Sequence, residues 1–393
     1  MNILVVDSAP PCDLFQGNAL IGWHLFSRLR HHDLTLICPA PAQELERYHA
    51  TLSQVFSTVH LVPRDEPVNM LTGIVEPFLA RSGMPASKRA TYSAVRAFQN
   101  QVRRVLASKS FDIIHTRQLS TTAMTAEIKH PAKLLELIDS ETLQSVRRVS
   151  ARAPRTWLRF ASARFLERRA LRHYAACTTV ADADAGMVRA LAPLLPVHVT
   201  PNGVDATFFG PLDRPERPAT IVFTGTMFFR PNVTAVLHFY QQILPLIRRE
   251  QPDAHFVVVG RDPVPEIAAL SADPHVTITG FVDDVRPWLA ESCVMVCPMI
   301  MGSGIKNKVL EALDVTDGRD LRVADSPAEF AAAVLELLGD PAARRRLGQA
   351  GRDLVMRRYT WDACAASYDA IYAELATRRD HAPKLAPLRD KAY

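Results

Sequence analysis

Cysteine and long apolar runs are both scarce in this chain of 393 residues, and each scarcity excludes a class of protein. The six cysteines include no closely spaced CxxC pair, so neither a disulfide scaffold nor a zinc site is indicated, and buried thiols in a reducing compartment are expected. No segment approaches the roughly 20 apolar residues of a membrane span, and the first residues lack the basic start of a signal peptide. The sequence therefore predicts a cytoplasmic protein.

A strong excess of charge of one sign is also missing. The net charge of +5 is too mild to indicate a nucleic-acid partner. Hydrophobic residues at 48% and charged residues at 22% are typical of a soluble globular protein. A chain of this length exceeds what one hydrophobic core usually serves, so two domains are expected.

Short apolar, β-rich runs alternate with helical patterns in both halves of the chain. This alternation predicts an α/β fold with two doubly wound parallel sheets, each resembling a Rossmann domain. A stretch rich in proline and charge at 209–218 marks the boundary. We expect domains at 1–205 and 206–359, a final helix at 360–377 and a loosely ordered tail at 378–393.

The most informative stretch is 301–313, which reads MGSGIKNKVLEAL and follows an apolar run typical of a buried strand. Its glycines let the backbone approach a ligand, and the amides of a helix N-terminus attract an anion. Lys306 adds a positive charge, and Glu311 offers an acceptor pair that suits a sugar diol. The pattern indicates a nucleotide-sugar site. The alternative is a solvated helix N-terminus with a Lys308–Glu311 surface pair.

Six motifs occur in the order found in family 4 retaining glycosyltransferases of the GT-B fold, and the chain resembles that family over most of its length. They are 201–205, the glycine turn at 223–232, the strand end at 280–285, a GSGIKNK-E variant of the donor signature at 301–313, the loop at 317–330 and the helix start at 359–361. The resemblance implies two Rossmann-like domains that face a cleft. The first would lie on the acceptor side, the second would bind the nucleotide sugar, and the last helix would cross back to the first.

The resemblance also implies a chemistry. A hexose would move, with retention, from a nucleotide-diphosphate sugar to a glycan or lipid-linked acceptor, without a cofactor or a metal. Protein cations would neutralise the leaving diphosphate. The implied catalytic residues are Arg230, Lys306, His115 and Arg117. The implied donor-binding residues are Gly225, Thr226, Ser303, Gly304, Ile305, Glu311, Gly17 and Asn18; for Gly17 and Asn18 an ordinary βα loop is an equal alternative.

Three positions depart from the family pattern. Ser303 stands where many members carry a glutamate that contacts the transferred sugar, and Thr226 stands where arginine is common. Arg117 occupies the place of the active-site histidine, two residues after His115. Either side chain could point into the cleft, although a structural role at the strand end is favoured for His115.

A segment is missing after Leu313. The family completes a helix there and continues with a glycine turn and a β-branched strand, and about 15–20 residues are absent on typical element lengths. Either the second sheet has lost a strand or the sequence omits residues of the native chain. We favour omission, because losing a core strand would expose apolar surface. A genuine loss favours the alternative function, a non-catalytic GT-B protein that binds nucleotide or glycan.

Arginines crowd the span 147–172 together with Trp157, Phe160 and Phe165. Such a segment could rest on an anionic membrane surface, at the inner face of the cell membrane. Helical spacing, however, places arginines on both faces, which is a poor amphipathic pattern. Surface salt bridges and an acceptor-phosphate site are therefore equal alternatives.

Overall fold

The computed structural model describes residues 1–12, 17–64, 86–146, 154–300 and 316–381. Its strands are β1 (Asn2–Val6), β2 (Asp33–Ala40), β3 (Thr58–Pro63), β4 (Ile113–Arg117), β5 (Lys133–Leu137), β6 (Ala176–Thr179), β7 (Val197–Val199), β8 (Arg217–Thr224), β9 (His255–Val259), β10 (Val276–Ile278) and β11 (Ser292–Met295). They occupy the apolar runs of the sequence.

The α-helices alternate with these strands. They are α1 (Gly17–Arg28), α2 (Leu45–Leu52), α3 (Ala86–Ser108), α4 (Thr122–Thr125), α5 (Glu141–Val146), α6 (Pro154–Leu171), α7 (Asp182–Leu191), α8 (Arg230–His238), α9 (Leu244–Glu250), α10 (Pro265–Ala268), α11 (Arg286–Ala290), α12 (Pro327–Gly339), α13 (Pro341–Arg358) and α14 (Trp361–His381). A π-helical turn at Phe239–Ile243 joins α8 to α9.

The chain divides into two compact units. Unit 1 comprises Met1–Gly203 and Trp361–Tyr393, and unit 2 comprises Val204–Thr360. The breaks fall close to the predicted boundaries at 205 and 359.

Unit 1 is built on a seven-stranded parallel sheet in the order β3-β2-β1-β4-β5-β6-β7. The strand order reverses between β1 and β4, whose register pairs Val6 with Thr116. The central strands are buried on both faces, which is why they read as continuous apolar runs in the sequence. Helices therefore cover both sides of this sheet.

Helix α14 belongs to unit 1 although it follows unit 2 in the chain. Trp361, Tyr368, Tyr372 and Leu375 recur at helical spacing and are buried in the core beneath α1 and β1. The start of α14 packs directly against Gly203, and a Cβ on residue 203 would lie 2.4 Å from the backbone nitrogen of Trp361. Glycine at 203 is therefore required for this packing.

Unit 2 contains a parallel four-stranded sheet in the order β10-β9-β8-β11. Its order reverses between β8 and β11, where Met295 pairs with Val222. Its core lies between the sheet and the helical run α8 to α9, with α12 completing it. A capping box starts α12, since Ser326 accepts a hydrogen bond from the Glu329 amide.

An apolar groove of about 450 Å³ lies beside the outer edge of β11. Among the described residues, no strand pairs with this edge. Cys297, which we expected to be a buried thiol, lines the groove and is exposed. The other lining residues of the groove include Val294, Val296, Leu321, Val323, Phe330 and Val334.

Lys133 is a buried cation in unit 1. Its Nζ donates to the carbonyl oxygens of Thr125 at 2.5 Å and Ile128 at 3.1 Å, and it lies 4.8 Å from the centre of the Tyr174 ring. No described carboxylate forms an ion pair with it. Burial lowers the pKa of Lys133 to about 8, because the charged form loses its hydration.

Unfolding at several pH values tests this burial. The folded pKa lies below the unfolded value, so the unfolded chain binds more protons between about pH 8 and 10.5, and stability rises with pH there. Relative to Lys133→Met, wild type should gain about 2 kcal/mol from pH 7 to 9.5 in urea unfolding. Lys109→Met, which alters a surface pair with Asp33, should show no such rise. An equal rise in both comparisons would contradict the assignment.

Candidate active site

In unit 2 the loops after β8 and β11 start side by side. The two strands are neighbours, and Val296 donates its amide to the Val222 carbonyl at 2.9 Å where β11 ends. In open parallel sheets, ligands bind beyond the carboxyl ends of the strands where the strand order reverses. This point of unit 2 is therefore its expected ligand site.

The turn after β8 is held by two glycines and an asparagine. The Gly225 amide donates to the Val259 carbonyl at 3.0 Å. A Cβ on Gly260, whose φ is +156°, would lie only 1.7 Å from the Gly225 oxygen, so this approach needs glycine. Asn232 Nδ2 donates to the Thr226 oxygen at 3.1 Å and would collide with a Cβ on Gly225. Gly225 and Thr226 thus lie in a turn that is held by hydrogen bonds and whose backbone a ligand can approach closely.

Arg230 is the first residue of α8 and its side chain is exposed. Phe229 precedes the helix and supplies no side-chain hydrogen bond to its N-terminus. Pro231 has no N–H and the Asn232 amide already donates to the Phe229 carbonyl at 2.9 Å, so the helix dipole and the charge of Arg230, rather than free amides, favour an anion there. The geometry therefore suits a phosphate group.

The other predicted donor residues lie outside the described part of the chain. They are Ser303, Gly304, Ile305, Lys306 and Glu311. The described chain reaches Ile300 just after β11. Their roles remain predictions.

In unit 1 the corresponding point lies between β1 and β4. Asp7 follows β1, Arg117 ends β4, and Glu136 is the register partner of Arg117 on β5. Parallel register aligns all three on one face of the sheet. Arg117 pairs with Asp7 through Nη1 and with Glu136 through Nη2 at 3.0 Å. The strand ends thus hold a buried triad.

The Arg117 side chain is only 1% exposed, which contradicts our expectation that it points into a cleft. Its Nη2 donates to the Asn18 carbonyl at 3.1 Å, so it holds the start of α1. A Cβ on Gly22 would lie 2.4 Å from Nη1, so glycine in the middle of α1 makes room for the guanidinium. Gly17 and Asn18 are themselves exposed at the beginning of α1.

The pKa values of the two carboxyl groups are shifted in opposite directions, because burial outweighs the charge of Arg117 at Asp7 but not at Glu136. Burial raises the pKa of Asp7, and attraction to Arg117 offsets this only in part. Burial also raises that of Glu136, but the charge of Arg117 and hydrogen bonds from His115 and Arg117 outweigh it and lower the pKa to about 2. Glu136 is therefore the ionised partner that Arg117 requires.

His115 is fully buried. Its Nδ1 lies 2.7 Å from the Tyr372 hydroxyl and its Nε2 lies 3.0 Å from Glu136 Oε2. The ring also stacks on Tyr368, with centroids 5.5 Å apart. Because α14 covers His115, its position agrees with the structural role that the sequence favoured and not with an orientation into a cleft. The residue joins the triad to α14.

Sequence reasoning missed Asp7 and Glu136. A signal was present, since Asp7, Arg117 and Glu136 lie at or near the ends of three predicted strands, where parallel pairing aligns charges. Glu136 also interrupts an apolar strand, which indicates a buried partner.

Helix α6 exposes apolar and basic side chains together. Trp157, Leu158 and Phe165 are 52%, 69% and 64% exposed, whereas Leu166, on the opposite side of the helix, is buried. At 100° per residue the exposed apolar groups share about a third of the helix circumference with Arg164 and Arg168. Arg155 and Arg159 lie on the opposite side and are exposed as well, so the helix is poorly amphipathic, as its spacing predicted. No described helix combines the length and hydropathy that a bilayer-spanning segment requires.

Comparison with known proteins agrees with this architecture. The family model for Glycosyltransferase Family 4 matches residues 26–208, that for Glycosyl transferases group 1 matches 218–340, and that for Glycosyl transferase-like proteins matches 312–370. An MMP alpha-(1->4)-mannosyltransferase from Mycolicibacterium hassiacum is 24% identical over 328 residues, which cover 74% of this chain and 77% of that protein.

Solved structures show the same fold. Sucrose-phosphate synthase from Thermosynechococcus elongatus matches with a TM-score of 0.67 and 14% identity, over 96% of this chain and 100% of that one. HepE from Anabaena, in complex with UDP and glucose, matches with a TM-score of 0.62 and 12% identity, over 95% and 99%.

Two parallel-sheet α/β units, the family matches and these structures lead to one assignment. The fold is GT-B, and the chain belongs to the family 4, group 1 glycosyltransferases.

Proposed function

We propose that this glycosyltransferase moves a hexose from a nucleotide-diphosphate sugar to a glycan or lipid-linked acceptor, with retention and without a metal ion. The observation that carries the proposal is the pairing of β8 with β11. It places the Gly225 turn next to the described residues 296–300, which precede the stretch at 301–313 in the sequence. A mannosyltransferase among the relatives and a UDP and glucose complex among the structural matches support a hexose donor.

The proposed reaction breaks the bond between the anomeric carbon and the diphosphate oxygen. The acceptor hydroxyl forms its bond to that carbon on the same face, and its proton passes to the departing phosphate oxygen. Negative charge develops on the leaving diphosphate, where Arg230 and Lys306 would stabilise it, while the Gly225 turn would let the backbone approach closely. Glu311 would hold the ribose hydroxyls, with Thr226, Ser303, Gly304 and Ile305 lining the donor.

In unit 1, the backbone at Gly17 and Asn18 would contact the substrate, whereas the buried cation Arg117 would not. Arg117 fixes the carbonyl of Asn18, next to Gly17. We therefore propose Arg117 as a positioning residue and His115 as its structural neighbour. Neither would touch the reacting atoms.

Removing the donor-site cations tests the proposed chemistry. Arg230→Ala and Lys306→Ala should each lower the turnover number about 10²- to 10³-fold, because each removes a charge that acts on the leaving group. Circular dichroism and the melting temperature should stay close to wild type, since Arg230 is exposed. Release of UDP or GDP from a panel of sugar donors, with and without acceptor, is the measurement.

The matched control is Arg249→Ala, an exposed arginine at the last turn of α9. It should leave turnover unchanged. Full activity in both site variants would contradict the proposal that these two cations stabilise the leaving group. Donor binding by wild type with no nucleotide release from any donor would instead favour binding without transfer.

A second test separates positioning from direct catalysis at Arg117. Arg117→Met leaves two buried carboxylates without their cation and should cost about 3–5 kcal/mol of stability. Adding Asp7→Asn and Glu136→Gln should recover part of that loss. Arg103→Ala, at an exposed pair with Glu127, should cost less than about 1 kcal/mol. Unchanged unfolding midpoints with abolished turnover would place Arg117 on the substrate instead.

We also propose that α6 rests on an anionic membrane surface, which would keep the protein near a lipid-linked acceptor. Its exposed face combines aromatic groups that enter the headgroup region with arginines that attract anionic lipid. Among the described residues, Arg164 and Arg168 form no ion pair that would compete for their charge.

Vesicle sedimentation tests this surface. Wild type should bind anionic vesicles more tightly than neutral ones and lose binding as salt increases. The double variant Trp157→Ser, Phe165→Ser should bind less, because it removes exposed apolar area. Leu194→Ser, at a leucine that is 98% exposed elsewhere in unit 1, is the control and should bind as wild type does. Equal binding by all three proteins would contradict the proposal.

A further inference from the structure

Two histidines and a carboxylate meet on the surface of unit 1, away from the strand ends of the transfer site. His31 and His32 occupy the turn between α1 and β2, and Asp369 lies on α14. Asp369 Oδ1 is 3.1 Å from His31 Nε2 and 2.7 Å from His32 Nε2. One ligand atom from each of the three residues lies within 4.8 Å of the others.

We propose that His31, His32 and Asp369 bind a divalent transition-metal ion of the zinc class. Imidazole nitrogens with one carboxylate form a donor set that zinc, nickel and cobalt accept, whereas magnesium and calcium prefer oxygen alone. Bonds of about 2.0–2.1 Å at a tetrahedral ion place two donors about 3.3 Å apart. The two histidine–carboxylate separations, 3.1 Å and 2.7 Å, need shifts of only a few tenths of an ångström, and the exposed His31 ring can turn to bring in the third donor.

The surrounding structure holds the donors in place before any ion binds. The His32 amide donates to the Leu29 carbonyl at 3.0 Å, which fixes the turn. The His32 side chain is 9% exposed and packs edge-on against Tyr372, with centroids 5.9 Å apart. His31 and Asp369 are 55% and 37% exposed, so an ion and a water ligand can reach them.

Coordination also determines the tautomer of His32. Its Nδ1 lies 3.5 Å from the amino group of Met1, at the limit of a hydrogen bond. Binding an ion through Nε2 moves the ring hydrogen to Nδ1, so this weak contact would be lost. The ion would then join the α1–β2 turn to α14, which are 338 positions apart at His31 and Asp369.

Metal titration of the full chain tests the site. The background variant should be Cys297→Ser, because that exposed thiol could bind the same ions. We expect one equivalent of Zn²⁺ or Co²⁺ to bind at pH 7.5, with a rise in melting temperature. Bound Co²⁺ should show d–d absorption without thiolate charge transfer.

His31→Ala and Asp369→Asn should each abolish the binding of one metal equivalent and the rise in melting temperature. Both positions are partly exposed, so these variants should fold, which circular dichroism without metal would verify. His49→Ala removes another exposed histidine of unit 1 and should leave binding unchanged. Metal binding that survives both site variants would overturn the proposal, as would the absence of binding in the Cys297→Ser background. The three side chains would then form only a hydrogen-bonded cluster.

Discussion

Parallel pairing of β8 with β11 is the constraint on which the candidate site of unit 2 depends. In a parallel sheet the carboxyl ends of neighbouring strands meet at one edge, and a reversal of strand order leaves a crevice there. Gly225 and Gly260 then let the β8 loop close against β9, because a Cβ at position 260 would overlap the Gly225 oxygen. The turn, the exposed N-terminus of α8 and Arg230 all follow from that packing.

The elements were largely predictable, and the side-chain contacts were not. Runs such as Ile3–Val6 and 254–259 predicted buried strands because both sheet faces are covered, so their apolar character is continuous. The glycine turn at Gly225 was visible as a local pattern. Gly260 was not, because its role depends on a contact 35 positions away in the chain, and nothing local distinguishes it from a loop glycine.

Arg117 shows the same limit at the level of chemistry. Motif order places it where the family carries a histidine, and a charged residue at a strand end points naturally to a ligand. In the structure Arg117 instead pairs with the carboxylates of Asp7 and Glu136. A buried guanidinium needs such paired acceptors. The register of β1, β4 and β5 supplies those acceptors on the same face. The residue at a motif position can therefore change its role when its type changes, here from contacting a ligand to holding neighbouring elements in place.

The groove beside β11 connects the sequence gap to the energetics of unit 2. A sealed apolar void of about 450 Å³ would cost about 11 kcal/mol at about 24 cal/mol per Å³, which is as much as a whole domain commonly has. An open groove costs less, and its walls include Val294 and Val296, which are 8% and 3% exposed, and the half-buried Val323. Those β-branched side chains suit contact with another strand rather than solvent. The further strand-forming segment after Leu313 therefore stays a prediction from the sequence, with this groove as the place to look for it.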